Sequence, residues 1–371
     1  MRKQRILISV SNDLETDQRV HKVATFFHNN GFDVMLIGRK LTNSKSLSRN
    51  YATKRMNLVF NKGFFFYAEF NIRLFFYLIF SRFTVLWAND TDTVLPNFII
   101  SKLFNKVLFF DAHELFPELP ELVERSKVKK VWKKIEDIIL PRIQHSFTVC
   151  QSIADYYKNL YGIDMQVLRN VPLTKDMSSY VPVSVPRDKI ILLYQGAVNI
   201  GRGLEQCIDA VSLLPNAVLY IVGDGDVLSQ LKKQVEDLQL EGQVIFTGKV
   251  PFQELPRYTK AAHIGLALLE KRGLSYYYAL PNRMFDFIQA DIPILATNFP
   301  EMSRIINEYK VGKLLTSNQP TDISQAIQEL YSEQYIIKNN VANFAKAKEE
   351  LCWEKEQEVL YKAIQSIGLT N

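Results

Sequence analysis

The chain has 371 residues, more than a single hydrophobic core ordinarily holds together, and this length favours two domains. Its 47% hydrophobic and 23% charged residues are typical of a folded protein and exclude extensive disorder. The formal net charge of +6 is compatible with nucleic acid, an anionic membrane or a phosphorylated substrate as partner. Because the sequence contains no zinc-finger or RNA-recognition motif, we expect no nucleic-acid partner.

The cysteines and the N-terminus bear on the compartment. Cys150, Cys207 and Cys352 are odd in number and far apart, which argues against a disulfide framework or a structural zinc site and favours a reducing environment. The N-terminus is basic, but the apolar run at residues 6–8 is too short for a signal peptide. We therefore expect a cytoplasmic protein.

Short apolar runs alternate with helical patterns through the first half of the chain. The runs are nearly continuous rather than alternating, as in strands that are buried on both faces of a parallel sheet. A helical pattern over residues 17–30 ends at Gly31, a residue that commonly terminates helices. The predicted strands lie at residues 6–10, 34–37, 85–88, 107–110 and 147–150.

Residues 60–83 are unusually aromatic. The segment contains Glu69, Arg73 and Arg82, and a membrane span of about 20 apolar residues does not tolerate such charges, so we exclude a transmembrane helix. Two interpretations stay open. The segment is a buried core helix, which is favoured because aromatic helices are more often packed than exposed, or it docks on a bilayer with the help of Lys62 and the two arginines.

The second half repeats the alternation after a break. Residues 180–188 contain two prolines and little helical pattern, and this indicates a linker. A last helical pattern covers residues 351–367. The predicted strands of this half lie at residues 190–194, 218–222, 244–246, 264–269 and 293–296.

These patterns predict an α/β protein with two Rossmann-like, doubly wound domains. We expect an N-terminal domain at residues 1–180 and a C-terminal domain at 188–345. Residues 346–371 are expected to form a helix that crosses back to the N-terminal domain. Ligands of such sheets bind at the carboxyl ends of the strands, so two facing sheets would place the site in the cleft between them.

Two glycine-containing turns follow predicted strands of the C-terminal domain. The first contains Gly196 and Arg202, and it could bring backbone N–H groups and a guanidinium to a phosphate, or serve chain geometry alone. The second contains Gly223 and Asp224. The aspartate could border a nucleotide, but a helix cap is the favoured interpretation there.

A third candidate begins a predicted helix at Pro281. Arg283 and Asp286 are three residues apart and share one face of this helix. A cation at the helix start suits a diphosphate, and a carboxylate one turn later suits the hydroxyls of a ribose. The alternative is a surface ion pair, which is common and weak.

The order of these motifs resembles retaining glycosyltransferase family 4, which has the GT-B fold and is often labelled glycosyl transferases group 1. The resemblance covers nearly the whole chain. It rests on the Arg202 turn, the Val-Gly-Asp-Gly sequence at 222–225, Phe-Thr-Gly at 246–248 and residues 281–297. Residues 11–22 and 111–116 also resemble a bacterial branch of this family.

The resemblance implies that the N-terminal domain, residues 1–180, binds the acceptor and that the C-terminal domain, residues 188–345, binds the nucleotide-sugar. It also implies roles for individual residues. Arg202 and Arg283 would contact the diphosphate and stabilise it as it leaves, Asp286 would bind the ribose, and His113 would contact the transferred sugar. Together with His113, these arginines are the expected catalytic residues. The remaining expected donor-binding residues are Gly196, Gly223, Asp224 and Asn282.

Acidic residues follow two predicted strands of the N-terminal domain. Asp111 and Glu114 flank His113 at the end of a buried run, which favours a functional histidine over a structural one. Both acidic residues are expected to line the acceptor or sugar cleft. Asp13 and Asp17 follow the first strand; they could contact acceptor or sugar, although a helix cap at residues 16–17 is favoured. The second ligand group that a metal would need is missing, and the resemblance implies neither a metal nor another cofactor.

The sequence also departs from the family pattern. Tyr278 stands where the family has its first acidic residue, and Glu270 lies too far upstream to take its place. Ala197 replaces an expected arginine, and residues 12–17 replace the N-terminal glycine loop. These positions concern mainly the groups that hold the donor sugar.

We expect a transferase that moves a sugar from a UDP- or GDP-sugar to an acceptor hydroxyl with retention of configuration. The acceptor would be a lipid-linked or polysaccharide intermediate of cell-surface glycan synthesis, and the enzyme would work at the inner face of the cytoplasmic membrane, in contact with anionic lipid. The alternatives are a GT-B epimerase that acts on UDP-N-acetylglucosamine and a non-catalytic GT-B subunit.

Overall fold

The structure, a computed structural model, describes residues 3–15, 17–123 and 125–369, and of Val123 and residues 333–341 it describes the backbone only. The chain divides into two compact units. The first unit is Met1–Asn170 together with Gln357–Asn371, and the second unit is Val171–Glu356.

Each unit contains one parallel sheet. In the described residues, the first unit has a seven-stranded sheet of order β3-β2-β1-β4-β5-β6-β7, and the second has a six-stranded sheet of order β10-β9-β8-β11-β12-β13. In each sheet, the strands that come early in the chain are added on one side of the first strand, and the later strands are added on its other side. This is the doubly wound topology that the sequence predicts. The strands are β1 Arg5–Asp13, β2 Asp33–Lys40, β3 Ala52–Asn57, β4 Val85–Asn89, β5 Val107–Ala112, β6 His145–Thr148, β7 Gln166–Val167, β8 Ile190–Gln195, β9 Ala217–Val222, β10 Val244–Gly248, β11 Ile264–Ala267, β12 Ile294–Thr297 and β13 Gly312–Leu315.

Helices connect the strands in both units. They are α1 Gln18–Asn29, α2 Gly63–Ile79, α3 Thr91–Phe104, α4 Pro120–Val123, α5 Ser126–Ile139, α6 Gln151–Tyr161, α7 Leu204–Ser212, α8 Leu228–Asp237, α9 Leu255–Ala261, α10 Gly273–Tyr277, α11 Asn282–Gln289, α12 Pro300–Tyr309, α13 Pro320–Tyr331, α14 Glu333–Glu350, α15 Trp353–Glu356 and α16 Glu358–Ser366. Single 3₁₀ turns lie at Phe116–Glu118, Leu140–Arg142 and Met177–Ser179.

The ten strands predicted from apolar runs are all present, and the structure adds β3, β7 and β13. All three of these strands lie at the edges of their sheets. An edge strand is covered less completely than a central one, so it does not need a continuous apolar run. The sequence of β3, Ala-Thr-Lys-Arg-Met-Asn, has one buried residue, Met56, and is otherwise half-buried or exposed. The apolar pattern therefore detected every interior strand and one of the four edge strands, β10.

The expected linker at 180–188 lies inside the second unit. Lys260 of the second unit binds the start of this segment and the turn before it. Its ammonium donates to the backbone carbonyls of Met177 and Tyr180. Arg257 donates to the carbonyl of Val181. These bonds attach the segment to the second unit, which begins at Val171 and not at the expected residue 188.

The C-terminal pattern at 351–367 is not one helix but two, α15 and α16, with the division between the units at Glu356 and Gln357. Residues 357–369 group with the first unit, where Tyr361 of α16 packs edge-on against Phe26 of α1 with ring centroids 4.7 Å apart. Leu360, Ala363 and Ile364 are buried on the same helix.

Helix α2 has a buried apolar face, as a core helix does, and also an exposed apolar face. Phe66, Phe70, Leu74 and Leu78 recur at every fourth residue and are buried, as a core helix requires. Several other large apolar side chains of the same segment are exposed. No helix among the described residues combines the length and hydropathy that a bilayer crossing requires.

Candidate functional site

Two glycine turns meet at the carboxyl ends of β8 and β9 in the second unit. The amide of Gly196 donates to the carbonyl of Val222 at 3.0 Å, and the amide of Val198 donates to the carbonyl of Asp224 at 3.0 Å. A Cβ on Gly223 would overlap the carbonyl oxygen of Gly196, so this close approach requires glycine. The two turns therefore form one backbone-lined surface.

A cavity of about 650 Å³ opens beside these turns. Its floor is largely backbone, which suits a ligand that is recognised through main-chain N–H and C=O groups. Lys249 and Val250, which follow β10, complete one wall and were not identified from the sequence. The walls include Gly196, Ala197, Gly223, Asp224, Lys249 and Val250.

Asp224 borders this cavity rather than capping a helix. Its carboxylate accepts from the amide of the next residue, Gly225, at 2.8 Å. Helix α8 begins later, with Val227 as its N-cap and no side-chain cap. The favoured helix-cap interpretation of Asp224 is therefore wrong, because two further turn residues intervene before the helix.

Arg283 is buried at the start of α11 and is 7% exposed. Its Nη1 donates to the carbonyl of Gln195 at 3.0 Å, and its guanidinium lies 4.3 Å from the centre of the Tyr194 ring. Nε and Nη2 have no hydrogen-bond partner among the described residues. Burial at this depth excludes the surface ion pair that the sequence left open. The two unpaired donors indicate a site for an anion.

A second cation lies near Arg283. The guanidinium of Arg202 stacks 4.6 Å from the centre of the Tyr276 ring, and its buried Nε also has no partner among the described residues. Burial and the positive charge of Arg202 both lower the pKa of Arg283. Two adjacent guanidinium groups repel each other unless an anion lies between or beside them.

Asp286 is held by the same strand end that holds Arg283. The side-chain amide of Gln195 donates to its Oδ2 at 3.0 Å, and Lys175 Nζ lies 3.4 Å from its Oδ1. Gln195 therefore contacts both residues: its backbone carbonyl accepts from Arg283, and its side-chain amide donates to Asp286. Asn282 is the exposed first residue of α11.

Tyr278, at the position of the absent carboxylate, ends α10 as its C-cap residue. Glu270 lies upstream, where its backbone amide donates to the carbonyl of Gly201 at 2.9 Å and its carboxylate accepts from Gln206 at 3.1 Å. Glu270 also pairs with Arg272 at 2.7 Å. The structure thus brings a carboxylate to the Gly201–Arg202 turn from a position that the family spacing does not predict.

A second cluster surrounds His113 in the first unit. Its Nδ1 lies 3.3 Å from Asp90 Oδ2, and its Nε2 lies 3.4 Å from Asp111 Oδ2 and 3.1 Å from the side-chain oxygen of Asn89. Burial alone would lower the pKa of His113, but the carboxylates of Asp90 and Asp111 raise it to about 9. Burial raises the pKa of Asp90 itself to about 8, whereas the pKa of Asp111 is lowered, so Asp111 is the carboxylate that favours the protonated form of His113 at neutral pH.

Asp90 was not identified from the sequence. It follows β4 as His113 follows β5, and these strands are neighbours, so the order of the sheet brings them together. Asp90 has a φ of 59°, a left-handed conformation that is unfavourable for a residue other than glycine. The backbone amide of His113 donates to the carboxylate of Asp90 at 2.8 Å. Strain of this kind often marks a functional position.

Asp111 faces the interior of the first unit. It forms two hydrogen bonds with the guanidinium of Arg19, at 3.0 and 2.6 Å, and both side chains are buried. Although burial opposes it, Arg19 together with His113 lowers the pKa of Asp111. Arg19 also donates to the carbonyl of Leu168 at 2.6 Å. Asp111 thus lies between Arg19 and His113 and fixes the orientation of the imidazole ring.

The remaining acidic residues have different surroundings. Asp17 is the N-cap of α1 and accepts from the amide of Val20 at 3.1 Å, so the favoured cap interpretation is confirmed for Asp17, while Thr16 lies outside the described residues. Asp13 pairs with Arg55 at 2.6 Å and accepts from Ser44. Glu114 is half-buried next to His113.

A family model described as "Glycosyl transferases group 1" matches residues 181–351. Residues 181–351 are a glycosyl transferases group 1 domain. This domain contains both glycine turns, Arg202 and the Arg283–Asp286 helix start. The resemblance to glycosyl transferases group 1 is thereby confirmed for residues 181–351.

Solved structures with the same fold cover the full chain. Sucrose-phosphate synthase from Thermosynechococcus elongatus matches with a TM-score of 0.81 and 16% identity over 100% of both chains. Anabaena HepE in complex with UDP-glucose matches with a TM-score of 0.72 and 13% identity, over 98% of this chain and 99% of that one. The chain therefore has the GT-B fold, as the sequence predicts.

Curated relatives match over shorter stretches. The chain is 31% identical over 113 residues to alpha-monoglucosyldiacylglycerol synthase of Streptococcus pneumoniae, which is 30% of this chain and 23% of that protein. It is 26% identical over 126 residues to chitobiosyldiphosphodolichol beta-mannosyltransferase of Yarrowia lipolytica, which is 34% and 26% respectively. The chain thus spans about a quarter of the length of these two relatives in the matched region.

Proposed function

We propose that this protein is a glycosyltransferase that moves a sugar from a UDP- or GDP-sugar to an acceptor hydroxyl with retention of the anomeric configuration. The group 1 domain supports the reaction class. One structural relative is in complex with UDP-glucose, and one curated relative is named for a glucosylated diacylglycerol. We infer that the acceptor is a lipid-linked or polysaccharide intermediate of cell-surface glycan synthesis and that the reaction takes place in the cytoplasm.

The observation that carries this proposal is the pair of unpaired donors on buried Arg283. A buried guanidinium with free N–H groups binds a diphosphate strongly because it has already lost its water and is fixed in direction. Arg202 supplies a second charge beside it. As the bond between sugar and diphosphate breaks, negative charge grows on the leaving diphosphate, and the two arginines stabilise it without a metal or another cofactor.

The other parts of the donor fit the surroundings of this pair. The 650 Å³ cavity beside the glycine turns is large enough for a nucleoside, and its backbone groups can bind the edges of a base. Asp286 binds the ribose hydroxyls in our proposal. His113 contacts the transferred sugar in our proposal, and the neighbouring Asp111 favours its protonated form, which donates hydrogen bonds.

Binding and turnover with a donor panel test this proposal. We expect calorimetry to detect binding of UDP or GDP, and one UDP- or GDP-sugar to release its nucleotide only when an acceptor extract is present. Release of UDP from UDP-N-acetylglucosamine without an acceptor would instead support the epimerase. Absence of nucleotide binding across the panel would leave a non-catalytic subunit as the interpretation.

Substitution of Arg283 tests the role of the buried cation. We expect Arg283→Gln to weaken binding of UDP or GDP by about 10- to 100-fold, because a hydrogen bond to a charged group contributes about 1.5–3 kcal/mol. Arg283→Lys keeps the positive charge but loses the planar set of N–H donors, so its nucleotide affinity should lie between those of the wild type and Arg283→Gln.

Arg304→Gln on α12 is the matched control, since Arg304 pairs with Glu301 of its own helix and is half-exposed. This variant should bind nucleotide like the wild type. If the Arg283→Gln variant folds and keeps its full nucleotide affinity, the proposed diphosphate site is wrong.

A further inference from the structure

The outward side of α2 is apolar. Helical geometry places Phe65, Ile72 and Phe76 opposite the buried stripe of the same helix, and they are 62%, 58% and 56% exposed. Phe80, directly after the helix, is 85% exposed. Side chains of this size are normally covered, so this row on one helix indicates a surface that meets an apolar partner.

Helix α3 extends the same surface. It packs beside α2, where the side-chain amide of Asn71 donates to the carbonyl of Asp92 at 2.8 Å. Leu95, Ile99 and Leu103 form an exposed row along α3 at every fourth residue. The two exposed apolar rows thus lie on helices that pack against each other.

Positive charge lies on α5, which packs against α3 and contacts α2 through the rings of Trp132 and Tyr67, 5.0 Å apart. Helix α5 exposes Lys127, Lys130 and Lys134, together with Val131 and Ile138. In the part of the chain that the structure describes, none of the three lysines has a carboxylate partner.

The acidic residues of these helices do not offset this charge. Glu69 of α2 pairs with Arg73 at 2.7 Å and accepts from the amides of Val59 and Phe60. Asp92 of α3 is buried, and Asp137 of α5 pairs with Lys133. The combined surface is thus apolar in one part and positively charged in the other.

We propose that the outer faces of α2, α3 and α5, here called the docking face, bind the surface of a bilayer that contains anionic lipids. Aromatic side chains enter the interface between headgroups and acyl chains, while the lysines contact lipid phosphates. Charge complementarity selects this occupant. A second copy of the docking face would carry the same positive charge and would not complement it.

The docking face goes beyond the proposed function, because it contains none of the residues assigned to nucleotide, sugar or acceptor. It can therefore be tested without turnover. The full chain is sedimented with vesicles of phosphatidylcholine alone and with vesicles that also contain phosphatidylglycerol. We expect binding to the anionic vesicles only, and weaker binding at high salt because the lysine contribution is screened.

Two variants separate the apolar and the charged contributions. We expect Phe65→Ser with Phe76→Ser to lower the vesicle partition coefficient about tenfold or more, since two large side chains lose their apolar contact. Lys130→Gln with Lys134→Gln should lower it by about tenfold and reduce its salt dependence. All four side chains are exposed or outward-facing, so both variants should fold, which circular dichroism checks.

Matched controls lie in the second unit. Leu213→Ser with Phe252→Ser removes two side chains that are each 48% exposed, and Lys232→Gln with Lys233→Gln removes two exposed lysines of α8. These controls should bind vesicles like the wild type. Calorimetry with UDP or GDP on every variant keeps a failure of the docking face distinct from a failure of the donor site.

Three results would overturn the proposal. They are equal binding to vesicles with and without phosphatidylglycerol or no binding to either, an equal loss in the control variants, and a dimer in analytical ultracentrifugation that Phe65→Ser with Phe76→Ser converts to a monomer. The last result would assign the patch to a second copy of the chain.

Discussion

Arg283 carries its charge in surroundings that do not stabilise it fully. Each buried donor without a partner disfavours the folded, ligand-free protein by about 1–3 kcal/mol, and the neighbouring Arg202 adds repulsion. The Tyr194 ring and the Gln195 carbonyl compensate only in part. In the proposed complex a diphosphate would remove these penalties, so part of its affinity would come from hydrogen bonds that the ligand-free protein leaves unmade.

Residue spacing predicted some of these contacts and could not predict others. The positions of Arg283 and Asp286 on one turn of helix identified both as candidates, because local helical geometry is regular. Their shared partner, Gln195, is 88 residues from Arg283 in the chain. Similarly, Arg19 and Asp111 are 92 residues apart. Such pairs depend on how helices pack on a sheet, which local spacing does not determine.

His113 provides a test of the sugar contact. We expect His113→Ala to reduce kcat at least tenfold, since a charge-assisted hydrogen bond to the sugar contributes about 1.5–3 kcal/mol, while nucleotide affinity remains unchanged. Steady-state kinetics and calorimetry with UDP or GDP measure the two effects. Because the pKa of His113 is raised to about 9 and that of its neighbour Asp90 to about 8, titration of this pair should affect the activity profile only above about pH 7. A parallel loss of nucleotide affinity would remove His113 from the sugar site.

At the scale of single elements, α2 shows where apolar patterns stop being informative. Nearly every position of this helix is apolar or aromatic, so no stripe in the sequence distinguishes the covered face from the exposed one. The neighbouring strands and α3 decide which four side chains become core. The same limit applies to β3, β7 and β13, whose edge positions follow from the strand order and not from their own composition.

Helix α5 gives a prediction for the pH dependence of stability. Burial raises the pKa of Glu136 from 4.5 to about 7, although hydrogen bonds from Thr91 at 2.6 Å and Tyr157 at 3.1 Å oppose the shift. The folded state thus holds this proton more tightly than the unfolded state. The stabilising contribution is complete below pH 4.5 and is lost as pH rises through about 7, a change of about 3 kcal/mol.

The Glu136→Gln variant tests this directly, because its amide does not titrate and its oxygen can still accept from Thr91 and Tyr157. We expect the Tm of the variant relative to the wild type to rise between about pH 5 and pH 8. Glu121→Gln, at an exposed position of α4, serves as control and should follow the wild type. A Tm difference between Glu136→Gln and wild type that stays constant with pH would contradict the buried, proton-holding role.

At the scale of the whole molecule, the first unit is built from two separate stretches of chain. Deletion of residues 357–371 removes α16, whose Leu360 and Ile364 are buried. Burial of each such side chain contributes about 1.5–3 kcal/mol, so the loss is a large part of the 5–15 kcal/mol that stabilises an ordinary domain. We expect the melting transition of the first unit to fall sharply in differential scanning calorimetry.

The second unit should be unaffected by this deletion, and the transition that UDP or GDP stabilises should stay in place. A chain that ends at Ile367 keeps α16 and is the matched control. An unchanged melting profile after removal of residues 357–371 would show that α16 contributes nothing to the first unit.

The discontinuity of the first unit also sets an order of events during synthesis. A ribosome releases residues 171–356, which contain every strand of the second unit, before it makes α16. The unit that begins first is therefore completed last, while the second unit is one uninterrupted stretch of chain. Nascent chains consequently pass through a stage at which Phe26, on α1, still lacks its contact with Tyr361. At that stage every strand of the second unit has been made, whereas the first unit still lacks the buried side chains of α16.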